Sequence, residues 1–398
     1  MPQNRIARLN SDGTFDSSFN VGTGANNTVN SVALQSNGKV LVGGAFTDYN
    51  GNLRNRLIRL NTNGSLDTDF VSGFDNILGF VQNLLLQSDG KLLVGGTFTN
   101  YIGVPRTSFL RLGATRTPFD FDGDGRTDVS VFRPTNGNWY LNRSQAGYLQ
   151  TQFGLGSDTI APADYDGDGK TDIAVWRSSN GNFYIINSSD GSIRVENFGL
   201  AGDIVTVADW DGDGKADLSV YRGGAQGVFY YRGSLNNPSG NITFLPFGTS
   251  GDKPVVGDYD GDGKVDAAIF RPNGGIGAEW WIRRSSNGST IAIQFGISTD
   301  KPVQGDYTGD GKTDIAVFRP SSGTWFVLRS EDFSFFAFPF GISTDILAPG
   351  DYDGDGKIDA GVFRPSSGTW YIQGSTAGIL IQTFGITGDL PTPNAFVP

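Results

Sequence analysis

Six times the chain writes an aspartate ladder of the form D-x-D-G-D-G-x-x-D, beginning at Asp120, Asp164, Asp209, Asp258, Asp306 and Asp351. The ladders recur at intervals of 44 to 49 residues, about the length of one four-stranded propeller blade. A repeat of this size cannot bury its own apolar face, so the copies must stack on one another. Carboxylates at alternate positions, with glycines that let the backbone fold back, wrap a hard cation in oxygen.

In the first ladder Asp120, Asp122, Asp124 and Asp128 occupy positions 1, 3, 5 and 9, with Gly123 and Gly125 at positions 4 and 6 and Arg126 at position 7. The second places Asp164, Asp166, Asp168, Lys170 and Asp172 at positions 1, 3, 5, 7 and 9, and the third Asp209, Asp211, Asp213, Lys215 and Asp217. The fourth carries Asp258, Asp260, Asp262, Lys264 and Asp266, and the fifth Asp306, Thr308, Asp310, Lys312 and Asp314. The sixth carries Asp351, Asp353, Asp355, Lys357 and Asp359. The position-7 residues contribute through the backbone carbonyl only, with the side chain expected in solvent. Each loop then offers roughly five to seven oxygens, a set for Ca2+, up to six ions in all. Magnesium wants a strict octahedron, and zinc wants nitrogen and sulfur, which a chain without His or Cys cannot supply. Thr308 replaces a carboxylate with a hydroxyl, so the fifth site is expected to be the weakest.

An EF-hand needs a bidentate Glu at position 12 and a following helix. Position 12 here is Val131, Val175, Val220, Ile269, Val317 and Val362, in strand-like runs such as DIAVF. The chain therefore leaves each loop as a strand. After every ladder comes an aromatic-Arg pair (Phe132-Arg133, Trp176-Arg177, Tyr221-Arg222, Phe270-Arg271, Phe318-Arg319, Phe363-Arg364), and a Phe-Gly pair begins at 153, 198, 247, 295, 340 and 384. Each unit thus has about four short strands. The last unit runs on through LPTPNAF, where Asn394 stands in place of a seventh ladder. That terminal strand can complete the first unit and close a ring of six.

A second repeat precedes the ladders. "LQSNGKVLVGGAFTDYNG" at 34–51 returns as "LQSDGKLLVGGTFTNYIG" at 86–103, and "RLNSDGTFDSSF" at 8–19 as "RLNTNGSLDTDF" at 59–70. Alternating apolar residues around Asn-Gly or Asp-Gly pairs read as hairpins. Asp89-Gly90 is read as such a turn, since one carboxylate cannot hold calcium. The first copy lacks its "LQ-GK" half, which predicts truncation at the N-terminus or closure by a distant strand.

The run from about 115 to 398 resembles tandem FG-GAP (VCBS-type) repeats, the units of integrin alpha-subunit propellers, with Phe153-Gly154, Ala161-Pro162 and the ladder at 164–172 in the family's order. Residues 1–113 resemble the delta-60 type of propeller repeat. The resemblance implies an all-β chain of four-stranded blades with calcium loops on one face, and an extracellular place. It leaves open a six-bladed ring over 114–398 with 1–113 apart, or one larger ring of seven to eight blades. It fixes no single activity.

The formal charge is −11, and six divalent ions would bring it to about +1. Only Glu196, Glu279 and Glu331 are glutamates among 41 acidic residues, so the acidity belongs to turns and loops, not to helices. Without His or Cys, imidazole triads and thiolate chemistry are excluded. No basic stripe suits a nucleic acid, and no apolar run suits a membrane span. Short loops of this kind bind calcium at about 0.1–1 mM, useless at cytosolic calcium, so the expected address is the cell exterior or surface, although no signal peptide is visible. The recurrent Arg either rings a channel as an anion site or, as favoured, braces the blade against a carboxylate. The pairs Trp139-Tyr140, Trp325-Phe326 and Trp370-Tyr371 either stack on sugars or, as favoured, fill the gaps between blades. Trp210, inside a ladder, is a candidate ligand contact. The resulting expectation is a monomeric, non-catalytic adhesion or interaction scaffold with an unidentified protein or glycan ligand. The alternatives are a lectin-like glycan binder and a calcium-dependent polysaccharide lyase or hydrolase.

Overall fold

Valine-, isoleucine- and aromatic-rich runs separated by glycine turns form strands throughout the computed structural model, which describes residues 5–35, 38–67, 74, 79–86, 92–101, 104–105, 108–112, 117–235, 237–274 and 277–397. Asp89-Gly90 lies outside the described residues. The one helical turn among them is the 3-10 segment Thr392–Asn394. Among the described residues no helix is long and apolar enough to cross a membrane. The chain divides into two compact units, Met1–Ala114 and Thr115–Pro398.

In the first unit, Val29–Leu34, Val40–Gly44 and Leu57–Leu60 form one antiparallel sheet, and Val81–Leu86, Leu92–Gly96 and Phe109–Leu112 another. The V-G-G of both copies has a steric cause. A Cβ on Gly44 would lie 2.1 Å from the Thr28 carbonyl oxygen, and one on Gly96 2.1 Å from that of Phe80. Both repeats also carry an ion pair eight residues apart, Arg8–Asp16 and Arg59–Asp67.

The second unit contains six four-stranded antiparallel sheets. In the second sheet the order is Thr159–Ile160, Ile173–Arg177, Asn182–Ile186 and Ile193–Asn197, following the chain. Burial falls along that order. The second strand is buried on both faces, the third alternates, and the fourth is an exposed edge. The sequence writes this gradient as IAVW, then NFYII, then IRVEN.

The first sheet takes its opening strand from the other end of the chain. Leu390–Pro391 pairs with Val129–Arg133, in the register Val131↔Pro391 and Phe132↔Leu390. The Ser130 and Thr392 hydroxyls are hydrogen-bonded beside it, and Phe119 stacks on Phe396. Six apolar clusters each join two neighbouring sheets. One packs Phe132 and Trp139 against Ile173 and Val175, for example. Another joins the sixth sheet to the first through Phe363, Trp370, Val129 and Val131. The second unit is therefore a six-bladed β-propeller closed by its last strand, as the position of LPTPNAF predicts.

Candidate metal centre

Each ladder leads directly into the second strand of its blade, and in the second to sixth blades it is the turn from the first strand. Its position-1 carboxylate draws the turn closed: Gly123 N–H donates to Asp120 Oδ1 at 2.6 Å and Gly125 N–H to Asp120 Oδ2 at 2.7 Å. The two glycines have φ of +82° and +86°, a region costly for any residue with a Cβ. The same pair of bonds recurs at Asp164, Asp209, Asp258, Asp306 and Asp351.

The position-9 aspartate ties the loop to its own blade. Phe121 N–H donates to Asp128 Oδ2 at 2.8 Å, and Ser144 N–H to Asp128 Oδ1 at 2.7 Å. The Ser144 hydroxyl then donates to Asp124, the position-5 carboxylate, at 2.6 Å. Ser188, Ser234, Ser285, Ser330 and Ser375 repeat both contacts. Sequence reasoning missed these serines. Their signal was a Ser standing 16 to 19 residues after every position-9 aspartate.

Position 3 behaves differently. Asp122 Oδ2 accepts the Ala146 N–H at 2.6 Å, but Asp122 Oδ1 is inaccessible to solvent and has no hydrogen-bond partner. The same holds for Asp260 Oδ1, Asp353 Oδ1 and Thr308 Oγ1. A buried acceptor without a donor is costly, and four repeats place it at the same loop position. A buried oxygen left in this state fits a cation.

Carboxylate oxygens converge within 4.8 Å in five loops: Asp120, Asp122 and Asp128; Asp164, Asp166 and Asp172; Asp209, Asp211 and Asp217; Asp258, Asp260 and Asp262; Asp351, Asp353 and Asp355. These clusters can hold a metal ion. The fifth loop is not among them, because Thr308 stands where its sisters place a carboxylate. Burial pushes Asp128, Asp217, Asp351 and Asp359 up to about 7, with neighbouring carboxylates adding to the shift. It pushes Asp120, Asp172, Asp258 and Asp306 up to about 6. A bound cation would offset the cost of burial and the mutual repulsion together.

The expectation that the position-7 side chains lie in solvent holds for Arg126 and Lys264, which are exposed, and is corrected for Lys170, Lys215, Lys312 and Lys357, which are half-buried; all six stems reach a neighbouring loop. The Lys170 stem lies against Gly123 of the preceding loop, where a Cβ would come within 3.2 Å of it. Lys215, Lys264, Lys312 and Lys357 cover Gly167, Gly212, Gly261 and Gly309, and Arg126 covers Gly354, so the sixth loop returns to the first. The bare face of a positive-φ glycine makes room for each stem.

Val131, Val175, Val220, Ile269, Val317 and Val362, at the position where an EF-hand needs its Glu, are fully buried strand residues. The recurrent arginines form no anion ring. Arg177 grips Asp158 with two hydrogen bonds of 2.8 Å and lies 4.4 Å over the Tyr184 ring. Arg133–Asp389, Arg222–Asp203, Arg271–Asp252, Arg319–Asp300 and Arg364–Asp345 repeat the pair. Trp139, Trp325 and Trp370 are wholly buried between blades. Trp210 is also inside, at 6% exposure, stacked on Tyr231 at 4.8 Å, which corrects its reading as a ligand contact. Tyr165, Tyr259, Tyr307 and Tyr352 stand at the same loop position and donate to the carbonyl just past the preceding strand. The Trp210 indole donates instead to Ser219 Oγ at 2.8 Å.

Residues 120–175, 164–220, 209–269 and 306–362 match the family model described as FG-GAP-like repeat. Residues 2–19, 35–70 and 87–115 match that described as domain of unknown function (DUF5122) beta-propeller. No curated protein matches the chain. Similar solved structures include virginiamycin B lyase from Staphylococcus aureus, at 12% identity over 79% of this chain and 86% of that chain, with a TM-score of 0.38. Streptogramin B lyase matches at 10% identity over 84% and 89%, with a TM-score of 0.40. An Agrocybe aegerita lectin that recognises non-reducing terminal N-acetylglucosamine matches at 18% identity over 65% and 76%, with a TM-score of 0.43. The expectation that the chain is not an enzyme is corrected here, because two of these three structures are lyases. At such TM-scores the likeness assigns the chain no reaction.

Proposed function

Because the chain belongs to the FG-GAP-like repeat family, we propose that its second unit is a calcium-stapled propeller serving as an interaction scaffold outside the cell or on its surface. The observation that carries the metal reading is the buried, partnerless oxygen at position 3, on Asp122, Asp260, Asp353 and Thr308. Calcium suits a loop that supplies only oxygens. Positions 1, 3, 5 and 9 would hold it together with the position-7 carbonyl. The ion would neutralise the clustered carboxylates and fix the loop that leads into the second strand of each blade.

The external address follows from affinity. At a Kd of about 0.1 mM, each site contributes about 1.8 kcal/mol at about 2 mM calcium, and almost nothing at cytosolic levels. A scaffold role agrees with Trp139, Trp325 and Trp370, which are wholly buried between blades. The test is thermal unfolding of the whole chain in about 2 mM calcium and again in excess chelator. A fall in Tm of at least about 10 °C is expected on chelation. An unchanged Tm would refute both the metal reading and the address drawn from it.

A further inference from the structure

The six loops touch one another in a closed circuit. Thr171 N–H, at position 8 of the second loop, donates to the Asp120 carbonyl, at position 1 of the first, at 2.6 Å. Ala216 N–H donates to the Asp164 carbonyl at 2.7 Å, Val265 to Asp209 at 3.0 Å, Thr313 to Asp258 at 2.7 Å and Ile358 to Asp306 at 2.7 Å. Thr127 N–H of the first loop closes the circuit on the Asp351 carbonyl at 2.6 Å. The N–H of position 8 and the carbonyl of position 7 belong to one peptide group. That carbonyl is the backbone oxygen each loop would offer its ion.

We infer that the six metal sites are coupled to their ring neighbours through these peptides, so that an ion in one loop positions a ligand of the loop before it in the ring. The inference rests on the metal reading above and goes beyond it. A cation drawing on the position-7 oxygen polarises its peptide and strengthens the N–H on the far side. That N–H holds the main chain of the neighbour's position-1 aspartate, whose two side-chain oxygens anchor the glycine turn of that loop. The position-7 stem packed on the neighbour's position-4 glycine gives the same residue a second hold on the adjoining turn. Position 7 and position 8 are therefore positioning residues for the site next door. Since all six links are made and the circuit has no end, each site has two neighbours.

The test uses the full chain labelled with 15N-glycine and titrated with calcium. The position-6 amides of Gly125, Gly169, Gly214, Gly263, Gly311 and Gly356 report one loop each. Asp258→Asn with Asp260→Asn disables the fourth loop. Its ring neighbours are the third and fifth, reported by Gly214 and Gly311, and the first loop, reported by Gly125, lies opposite. The calcium midpoints at Gly214 and Gly311 are expected to rise roughly five-fold, while that at Gly125 stays within about two-fold. Calorimetry of the unaltered chain, which needs no variant, is expected to give a Hill coefficient above one. Independent midpoints with a Hill coefficient of one would overturn the coupling and leave the metal reading standing. An equal shift at all remaining loops would also overturn it, as a general loosening. Silence at all six glycines would remove the metal reading and the coupling with it.

Discussion

Acidification from about pH 7.5 to about pH 5.5 should move the metal-free and calcium-loaded proteins in opposite directions. Burial raises Asp128, Asp217, Asp351 and Asp359 to about 7, and Asp120, Asp172, Asp258 and Asp306 to about 6, from 3.8. Between 3.8 and these values the folded state binds more protons than the unfolded chain, so stability rises as pH falls. Their favourable contribution is complete below 3.8 and is lost as pH climbs through 6 to 7. The carboxylates of a loop share one field, so each loop takes up about one proton across this range. One proton over about two pH units is worth at most ~2.7 kcal/mol. Half-exposed loop rims screen this strongly, and a total of about 3 kcal/mol from all six loops is a reasonable net. That raises the Tm of the chelated protein by roughly 6–12 °C. With calcium present the same protons compete with the ions, and Tm should drop over the same interval. Thermal scans at both pH values, with calcium and with chelator, read out the crossing. A chelated Tm that falls alongside the loaded one would refute the electrostatic account of the loops.

Replacing Thr308 with Asp should tighten the fifth site, raising Tm in calcium and lowering it in chelator, as paired melts would show. Arg319→Ala strands Asp300, whose side chain is fully buried. The expected loss is about 2–4 kcal/mol by denaturant titration, whereas Arg319→Lys should recover part of it. Trp325→Ala, at a wholly buried position, should cost about 3–5 kcal/mol, and a loss below about 1 kcal/mol would deny its packing role. Deleting 389–398 removes Asp389 from Arg133 and the opening strand from the first sheet. A broad, non-cooperative melt is expected, and a sharp transition at the unaltered Tm would contradict ring closure.

The blades were legible because each strand states its own burial: VSVFR and IAVFR cannot be surface strands, and IRVEN can. The closing strand was legible too, since Leu390-Pro391 stands where a further unit would begin. What escaped the sequence lies between copies. Lys170 on Gly123, or Thr171 on Asp120, joins two positions that every repeat contains, so nothing in the text says which copy meets which. Trp210 misled because a Trp in a polar loop reads as exposed. Its concealment depends on Ser219, which replaces the Ala174 or Ala268 of sister strands and supplies the acceptor. Lys170, Lys215, Lys312 and Lys357 misled for the opposite reason: a lysine is usually wet, and only the neighbour's glycine gives its stem a surface.

Arg133 and Asp389, the pair that flanks the closing strand, lie 256 residues apart in the chain. At about 5–20 residues per second of synthesis, roughly 13–50 s separate the appearance of the two ends. For that time the most buried strand of the first blade, Val129–Arg133, presents an open edge beside finished neighbours. An open apolar edge invites pairing with any passing strand, including the same segment of another nascent copy. Closure by so late a strand thus makes the interval before Leu390–Pro391 is synthesised the period of greatest exposure to misassembly. Crowding of nascent chains, more than the finished ring's stability, would then set how much protein a cell recovers.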